Sequence, residues 1–195
     1  GIEDQLLTYW IASQKIPIHV FTIDTGRLFQ ETYDVLDMTR RKLDIDVTVY
    51  FPQHQAVQEL VNSKGPNSFF QSIENRKECC YIRKVEPLAR ALDGAEVWIT
   101  GLRADQSHNR QQMQVAEWDD QRQLIKYNPL MHWSLNDIEK AIDQASVPIN
   151  TLHKKGYPSI GCAPCTRAIL PGEDARAGRW WWESSAKECG LHQTQ

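Results

Sequence analysis

Cysteine placement constrains this chain more than any other feature. Of five cysteines in 195 residues, Cys79 and Cys80 are adjacent, Cys162 and Cys165 form a Cys-x-x-Cys, and Cys189 stands apart near the end. A single cysteine is ordinarily a buried free thiol. Two pairs are harder to treat that way, because four thiolates can hold zinc tetrahedrally or a cubane of iron and sulfide. Zinc favours two Cys-x2-4-Cys knuckles, and an adjacent pair cannot form one: two neighbouring side chains on one small ion strain the backbone. A cluster offers separate iron corners instead. The residues favour a cluster, with zinc and metal-free thiols as the alternatives, and either metal requires a fold that unites positions 79–80 with 162–165.

Cys189 is left over as a candidate nucleophile. It lies in Glu188-Cys189-Gly190-Leu191-His192, and the preceding stretch supplies Arg167, Arg176, Arg179 and the triplet Trp180-Trp181-Trp182. Reactive thiols need a lowered pKa, which nearby cations provide, and Arg176 and Arg179 are available for that. By composition alone, a disordered tail with an incidental cysteine is an equal reading.

The rest of the composition sets the class. A 41% hydrophobic and 24% charged chain of this length is ordinary for one soluble domain with a sizeable core. A formal net charge of -3 argues against bulk binding to nucleic acid. There is no apolar run of the roughly 18 residues that would suggest a membrane span, and no secretory signal pattern. An odd cysteine count with metal-like spacing points to a reducing cytoplasm.

Along the chain, Leu6, Leu7, Trp10 and Ile11 give one apolar helix face directly after Gly1. A glycine there suits a phosphate loop at a helix N-terminus or a simple cap. Residues 18–23 read as a buried strand ending at Asp24-Thr25-Gly26-Arg27, the kind of polar strand end where open α/β sheets bind ligands. A helix is predicted over 28–43, a strand over 46–51 and a short helix over 56–61. Residues 65–77 read as a loop that brings Cys79-Cys80 into place. Ile82, Val85, Leu88, Ala89 and Leu92 have helical spacing, delimited or kinked by Pro87 and capped by Gly94. A strand over 95–100 opens on Gly101-Leu102-Arg103-Ala104-Asp105-Gln106-Ser107. Runs 113–118 and 124–127 flank Asp119-Asp120-Gln121-Arg122 as a hairpin. Ser134-x-x-Asp137 opens a helix to about Gln144. The alternation implies an α/β fold with a mostly parallel sheet and flanking helices.

Four segments together resemble one family. They are Lys77-Glu78-Cys79-Cys80-Tyr81-Ile82-Arg83-Lys84-Val85-Glu86-Pro87-Leu88, Ile160-Gly161-Cys162-Ala163-Pro164-Cys165-Thr166-Arg167, Gly178-Arg179-Trp180-Trp181-Trp182-Glu183 and Lys187-Glu188-Cys189-Gly190-Leu191-His192. They look like the bacterial assimilatory adenylyl-sulfate reductases, the thioredoxin-dependent, iron-sulfur members of the phosphoadenylyl-sulfate reductase family. Asp24-Thr25-Gly26-Arg27 and the 100–107 stretch extend the likeness over almost the whole chain.

The resemblance implies an adenine-nucleotide hydrolase-like fold shared with ATP pyrophosphatases. It implies that Cys79, Cys80, Cys162 and Cys165 bind one [4Fe-4S] cluster, and that Cys189 attacks the sulfur of adenylyl sulfate and expels AMP. Thioredoxin would then release sulfite. Lys84 matches the family's lysine that links cluster and substrate. Lys84, Arg176, Arg179 and His192 are expected around the phosphosulfate, and Asp4, Thr25 and Gly101 at the nucleotide, although any one cation is ordinarily a solvated surface charge. One catalytic domain over 1–195 is expected, with a nucleotide-binding core over 1–150 and the cluster segment and catalytic tail over 151–195. Relatives begin the nucleotide loop with a strand and Ser-x-Ser-Gly, whereas this sequence starts at the glycine, so that first strand is expected to be missing. No trailing glutaredoxin-like domain is expected, which makes external thioredoxin the reductant, and a homo-oligomer is left open. Two other functions compete: reduction of 3'-phosphoadenylyl sulfate, alone or as a second substrate, and a cluster-bearing nucleotide sensor without turnover.

Overall fold

The computed structural model describes residues 1–106 and 110–183. Helix α1 (Ile2–Ser13) buries Glu3, Leu6 and Leu7. Its leucines pack with Leu130, Ile138, Ile142 and Val147 in an aliphatic core shared with α6 (Leu135–Ala145). The predicted box at the start of α6 is present in both directions: the Ser134 side chain accepts from the Asp137 amide, and the Asp137 side chain accepts from the Ser134 amide.

Strand β1 (Phe21–Ile23), helix α2 (Gln30–Leu43) and strand β2 (Thr48–Tyr50) form a crossover unit, with Phe21 opposite Thr48 and Ile23 opposite Tyr50 in parallel register. The strands are shorter than the apolar runs because pairing, not composition, defines them. The ladder fades past the bonds from Thr48 N to Val20 O and from Asp24 N to Tyr50 O. Glu31 at the start of α2 and Arg40, Arg41 and Lys42 at its end oppose the helix dipole in the favourable sense. Helix α3 (His54–Lys64) runs longer in both directions than predicted.

The 65–77 stretch is not simply a loop. A 3-10 turn occupies Ser68–Phe70, and helix α4 (Ile73–Cys80) begins at Ser72, whose side chain accepts from the Asn75 amide at 3.1 Å. Its buried residues are Arg76 and Cys80, so there is no apolar stripe for a periodicity argument to find. The chain then widens into a π-helical turn over Tyr81–Val85 and continues as α5 (Glu86–Ala91). Pro87 lies in the first turn of α5, where a missing amide hydrogen costs least.

Strand β3 (Val97–Ile99) pairs in parallel with β5 (Leu124–Tyr127), which pairs antiparallel with β4 (Ala116–Asp119) as the predicted hairpin. Among the described residues the sheet is therefore in two pieces, β1-β2 and β3-β5-β4. They are bridged by side chains: Leu88, Leu92, Trp98 and Leu124 form a core against which Phe21 and Ile23 pack.

Candidate functional site

The carboxyl end of β1 is tied directly to the cysteine segments. Asp24 Oδ1 accepts from the Gly26 amide at 2.7 Å and from the Tyr33 hydroxyl at 3.0 Å, which shapes the turn. Thr25 Oγ1 then lies 3.3 Å from Cys162 Sγ, and the Ala163 amide donates to the Arg27 carbonyl at 2.8 Å. From the other side, Arg83 Nη1 donates to the Thr25 carbonyl at 2.6 Å. The turn after β1, the π-helical turn after Cys80 and the Cys162–Cys165 turn are thus held as one unit.

All four cysteines of the two pairs line a single recess, partly open to solvent and walled by Arg27, Phe69, Arg76, Arg83, Lys84 and Trp180. All four are free thiols. Their environments diverge. Burial, reinforced by the neighbouring sulfurs, pushes Cys165 up to about 12. Burial also raises Cys79, against the pull of Arg83 and Arg27. Cys162 goes the other way: burial is its largest single influence and opposes ionisation, but Lys84, the Thr25 hydroxyl and Arg179 together outweigh it and hold the thiol below its usual value. Crowded sulfurs interleaved with cations are a setting that favours thiolate bound to a cationic centre over four neutral thiols.

The cations are buried to an unusual degree. Arg83 and Lys84 are each 8% exposed and Arg179 is 6% exposed. Lys84 is within hydrogen-bonding reach of Cys162. The guanidinium of Arg179 lies over the Trp180 ring and against Gly161, where a Cβ would collide with it. Arg76, beside Cys80, pairs with Glu183 through two bonds of 3.0 Å, with both side chains nearly inaccessible. Among the described residues, the buried donors Arg83 Nε and Trp180 Nε1 find no hydrogen-bond acceptor. Both residues wall the recess, and N–H donors of this kind suit sulfide or thiolate acceptors. Among the described residues no three His, Cys, Asp or Glu converge on a point suited to a lone metal ion; what the four thiols share is the recess.

A second constellation lies where α1 begins and β3 ends. Gly101 lets the chain pass close to α1, since a Cβ there would sit 2.6 Å from Asp4 Oδ1. Glu3 Oε1 accepts from Arg103 Nε at 3.0 Å and Gln106 Nε2 at 2.9 Å, a buried pair that fastens the loop after β3 to the first turn of α1.

The structure therefore brings Cys79, Cys80, Cys162, Cys165, Lys84 and Thr25 together, with Arg179 against the Cys162 segment, and it joins Asp4 to Gly101. Thr25 is expected at the nucleotide, and its hydroxyl points to the Cys162 sulfur. Arg176 is half-buried on the turn before Arg179 and does not wall the recess. Cys189 and His192 lie outside the described residues. Sequence reasoning gave no role to Arg27, Arg76, Arg83, Trp180, Glu3 or Arg103. Helical spacing was the available signal for two of them: Arg76 and Arg83 lie four positions before and three after Cys80.

The layout defines an α/β domain of the adenine-nucleotide hydrolase-like class, with a sulfur-lined recess at one strand end. The phosphoadenosine phosphosulfate reductase domain model matches residues 1–168, and the chain belongs to that family. It is 52% identical over 193 residues to the adenosine 5'-phosphosulfate reductase of Rhizobium meliloti (strain 1021), covering 98% of this chain and 73% of that protein. The protein of the same name from Allochromatium vinosum is 47% identical, over 100% of this chain and 77% of its own. Among solved structures, the phosphoadenylyl-sulfate reductase of Candida auris in a phosphate complex superposes with a TM-score of 0.73 at 26% identity, covering 86% of this chain and 79% of that one. Yeast FAD synthetase shares the fold alone, with a TM-score of 0.56 at 15% identity over 86% of this chain and 55% of that one.

Proposed function

We propose that this chain reduces adenylyl sulfate to sulfite and AMP in assimilatory sulfate reduction toward cysteine, in the cytoplasm, with thioredoxin as electron donor and Cys189 as nucleophile. The observation that carries this reading is the union of both cysteine pairs with buried Lys84 at the carboxyl end of β1. Family membership and the names of its relatives support the substrate.

Cys79, Cys80, Cys162 and Cys165 would hold a [4Fe-4S] cluster, for which the soft donors and the buried N–H groups of Trp180 and Arg83 are a fitting set. The chemistry such a cluster would supply is electrostatic and organising, since both electrons come from thiols. In the first step the Cys189 thiolate attacks the sulfonate sulfur, the S–O bond to AMP breaks, and AMP leaves with the bonding pair. Two like charges at 4 Å repel by about 4 kcal/mol at an effective dielectric of 20, so a thiolate approaching a dianion needs cations. Lys84, Arg176, Arg179 and His192 serve that need, with Asp4, Thr25 and Gly101 toward the nucleotide. In the second step a thioredoxin thiolate attacks Cys189 Sγ and sulfite leaves with the S–S pair. The second thioredoxin thiol then displaces Cys189 and leaves thioredoxin as a disulfide. Residues 1–150 act as the nucleotide-binding part, and 151–195 complete the cluster site and carry the tail.

The test is sulfite release from adenylyl sulfate with thioredoxin, run beside the 3'-phosphorylated substrate. A higher kcat/KM for adenylyl sulfate is expected, because an extra phosphate without a partner carries a desolvation penalty. No sulfite from either nucleotide would leave the sensor reading standing.

A further inference from the structure

The aromatic wall of the recess continues outward to the protein surface. Phe69 is 1% exposed, and Phe70 packs beside it with ring centroids 4.5 Å apart. Trp182 meets Phe70 at 4.4 Å and Trp181 at 4.9 Å, and Trp181 meets Phe70 at 6.3 Å. The two outer rings stay in solvent: Phe70 is 44% and Trp181 40% exposed. Exposed aromatic rings in mutual contact cost hydration in the free protein and are the kind of surface that a partner's apolar face repays. The Arg76–Glu183 pair, directly after Trp182, ties this end of the patch to α4, the helix that follows 68–70.

The position of the patch selects the partner. Cys189 follows Glu183 by six positions, and six residues of extended chain span at most about 20 Å. A protein thiol that attacks Cys189 Sγ must therefore arrive within about that distance of Glu183, two residues along the chain from Trp181. Because sulfur must touch sulfur, the surface around the attacking thiol is brought against the tail and its root. We propose that Phe70 and Trp181 form the docking surface for the dithiol protein that reduces the Cys189 adduct, binding the apolar rim around its active-site thiols. This rests on Cys189 being the nucleophile.

The experiment separates docking from chemistry. Cluster-loaded wild type, Trp181→Ala and Phe70→Ala are compared in two assays: adduct formation on Cys189 in a single turnover without reductant, and steady-state sulfite release against thioredoxin concentration. Each variant is expected to raise the KM for thioredoxin about tenfold, the scale of one aromatic hot spot. The adduct rate, and sulfite release by dithiothreitol, which needs no docking surface, should be unchanged. Trp181→Phe should recover most of the loss. A normal adduct rate with an unchanged thioredoxin KM overturns the surface and leaves the nucleophile standing. A slowed adduct in Trp181→Ala means that the tail itself uses the patch, and a change in oligomeric mass means that a second copy covers it; either result overturns the proposal. No adduct on Cys189 in the wild type means that the underlying reading has failed. Should Phe70→Ala lose iron, Trp181→Ala alone decides, since it is Phe70 that packs on the recess-lining Phe69.

Discussion

Two interiors of this molecule are built on opposite principles. Between α1 and α6 the core is aliphatic: Leu6, Leu7, Leu130, Ile138, Ile142 and Val147, held by burial alone. Around the recess the buried residues are Phe69, Cys80, Cys162, Cys165 and Trp180, interleaved with Arg76, Arg83, Lys84 and Arg179. The first interior stabilises the fold without further help, at about 25 cal/mol per Å² of apolar surface removed from water. The second buries cations, which costs several kcal/mol per ion unless anions answer them. Glu183 answers Arg76, and the cations hold the Cys162 thiol below its usual value, while burial raises Cys79 and Cys165. The difference teaches that one region is folded for stability, whereas the other gives up stability to gather sulfurs and cations in one place.

The largest effect should come from Cys189, which lies beyond the described residues. Cys189→Ser should abolish turnover and adduct formation while keeping iron and AMP binding, because a serine hydroxyl at neutral pH is far less nucleophilic than a thiolate. Peptide mapping of the adduct to another cysteine, or loss of iron in this variant, would mean that the five cysteines divide differently.

Arg76→Met should be the most damaging change in the charged interior. It leaves Glu183 buried without its guanidinium and should cost about 3–5 kcal/mol, with iron lost alongside. Leu6→Ala in the aliphatic interior should cost about 2–5 kcal/mol and leave iron per folded chain unchanged. Denaturant midpoints and iron assays on both variants test the contrast; equal iron loss would erase it.

The smallest effect is at the start of α6. Ser134→Ala should lower Tm by about 2–4 °C, with no change in iron. The Ser134 hydroxyl and amide hold the Asp137 carboxyl below its usual range. A depressed folded-state pKa means that this contribution is present above the unfolded carboxyl pKa and fades as pH falls through the folded value. The difference between wild type and variant should therefore shrink in acid, which paired melting curves would detect.

The sequence alone determined a good deal. The Gly1 cap of α1, the run of basic residues ending α2, the 113–127 hairpin and the Ser134 capping box are local events, set by side chains within a turn of one another, and were legible for that reason, whereas α5 ends at Ala91 with Leu92 as its cap and not at the predicted Gly94. The cysteine spacing likewise marked the two pairs that meet in one recess, because few other roles require four thiols in two pairs. Tertiary structure alone decided the rest. Helix α4 was hidden because its inward face is Arg76 and Cys80, and hydropathy cannot mark a charged residue as interior when its partner, Glu183, lies far along the chain. The contact of Thr25 with Cys162, the burial of Lys84 by the π-helical turn and the meeting of Phe70 with Trp181 depend on long-range closure. Their energies exist only once distant segments exclude water together, and no local pattern records that.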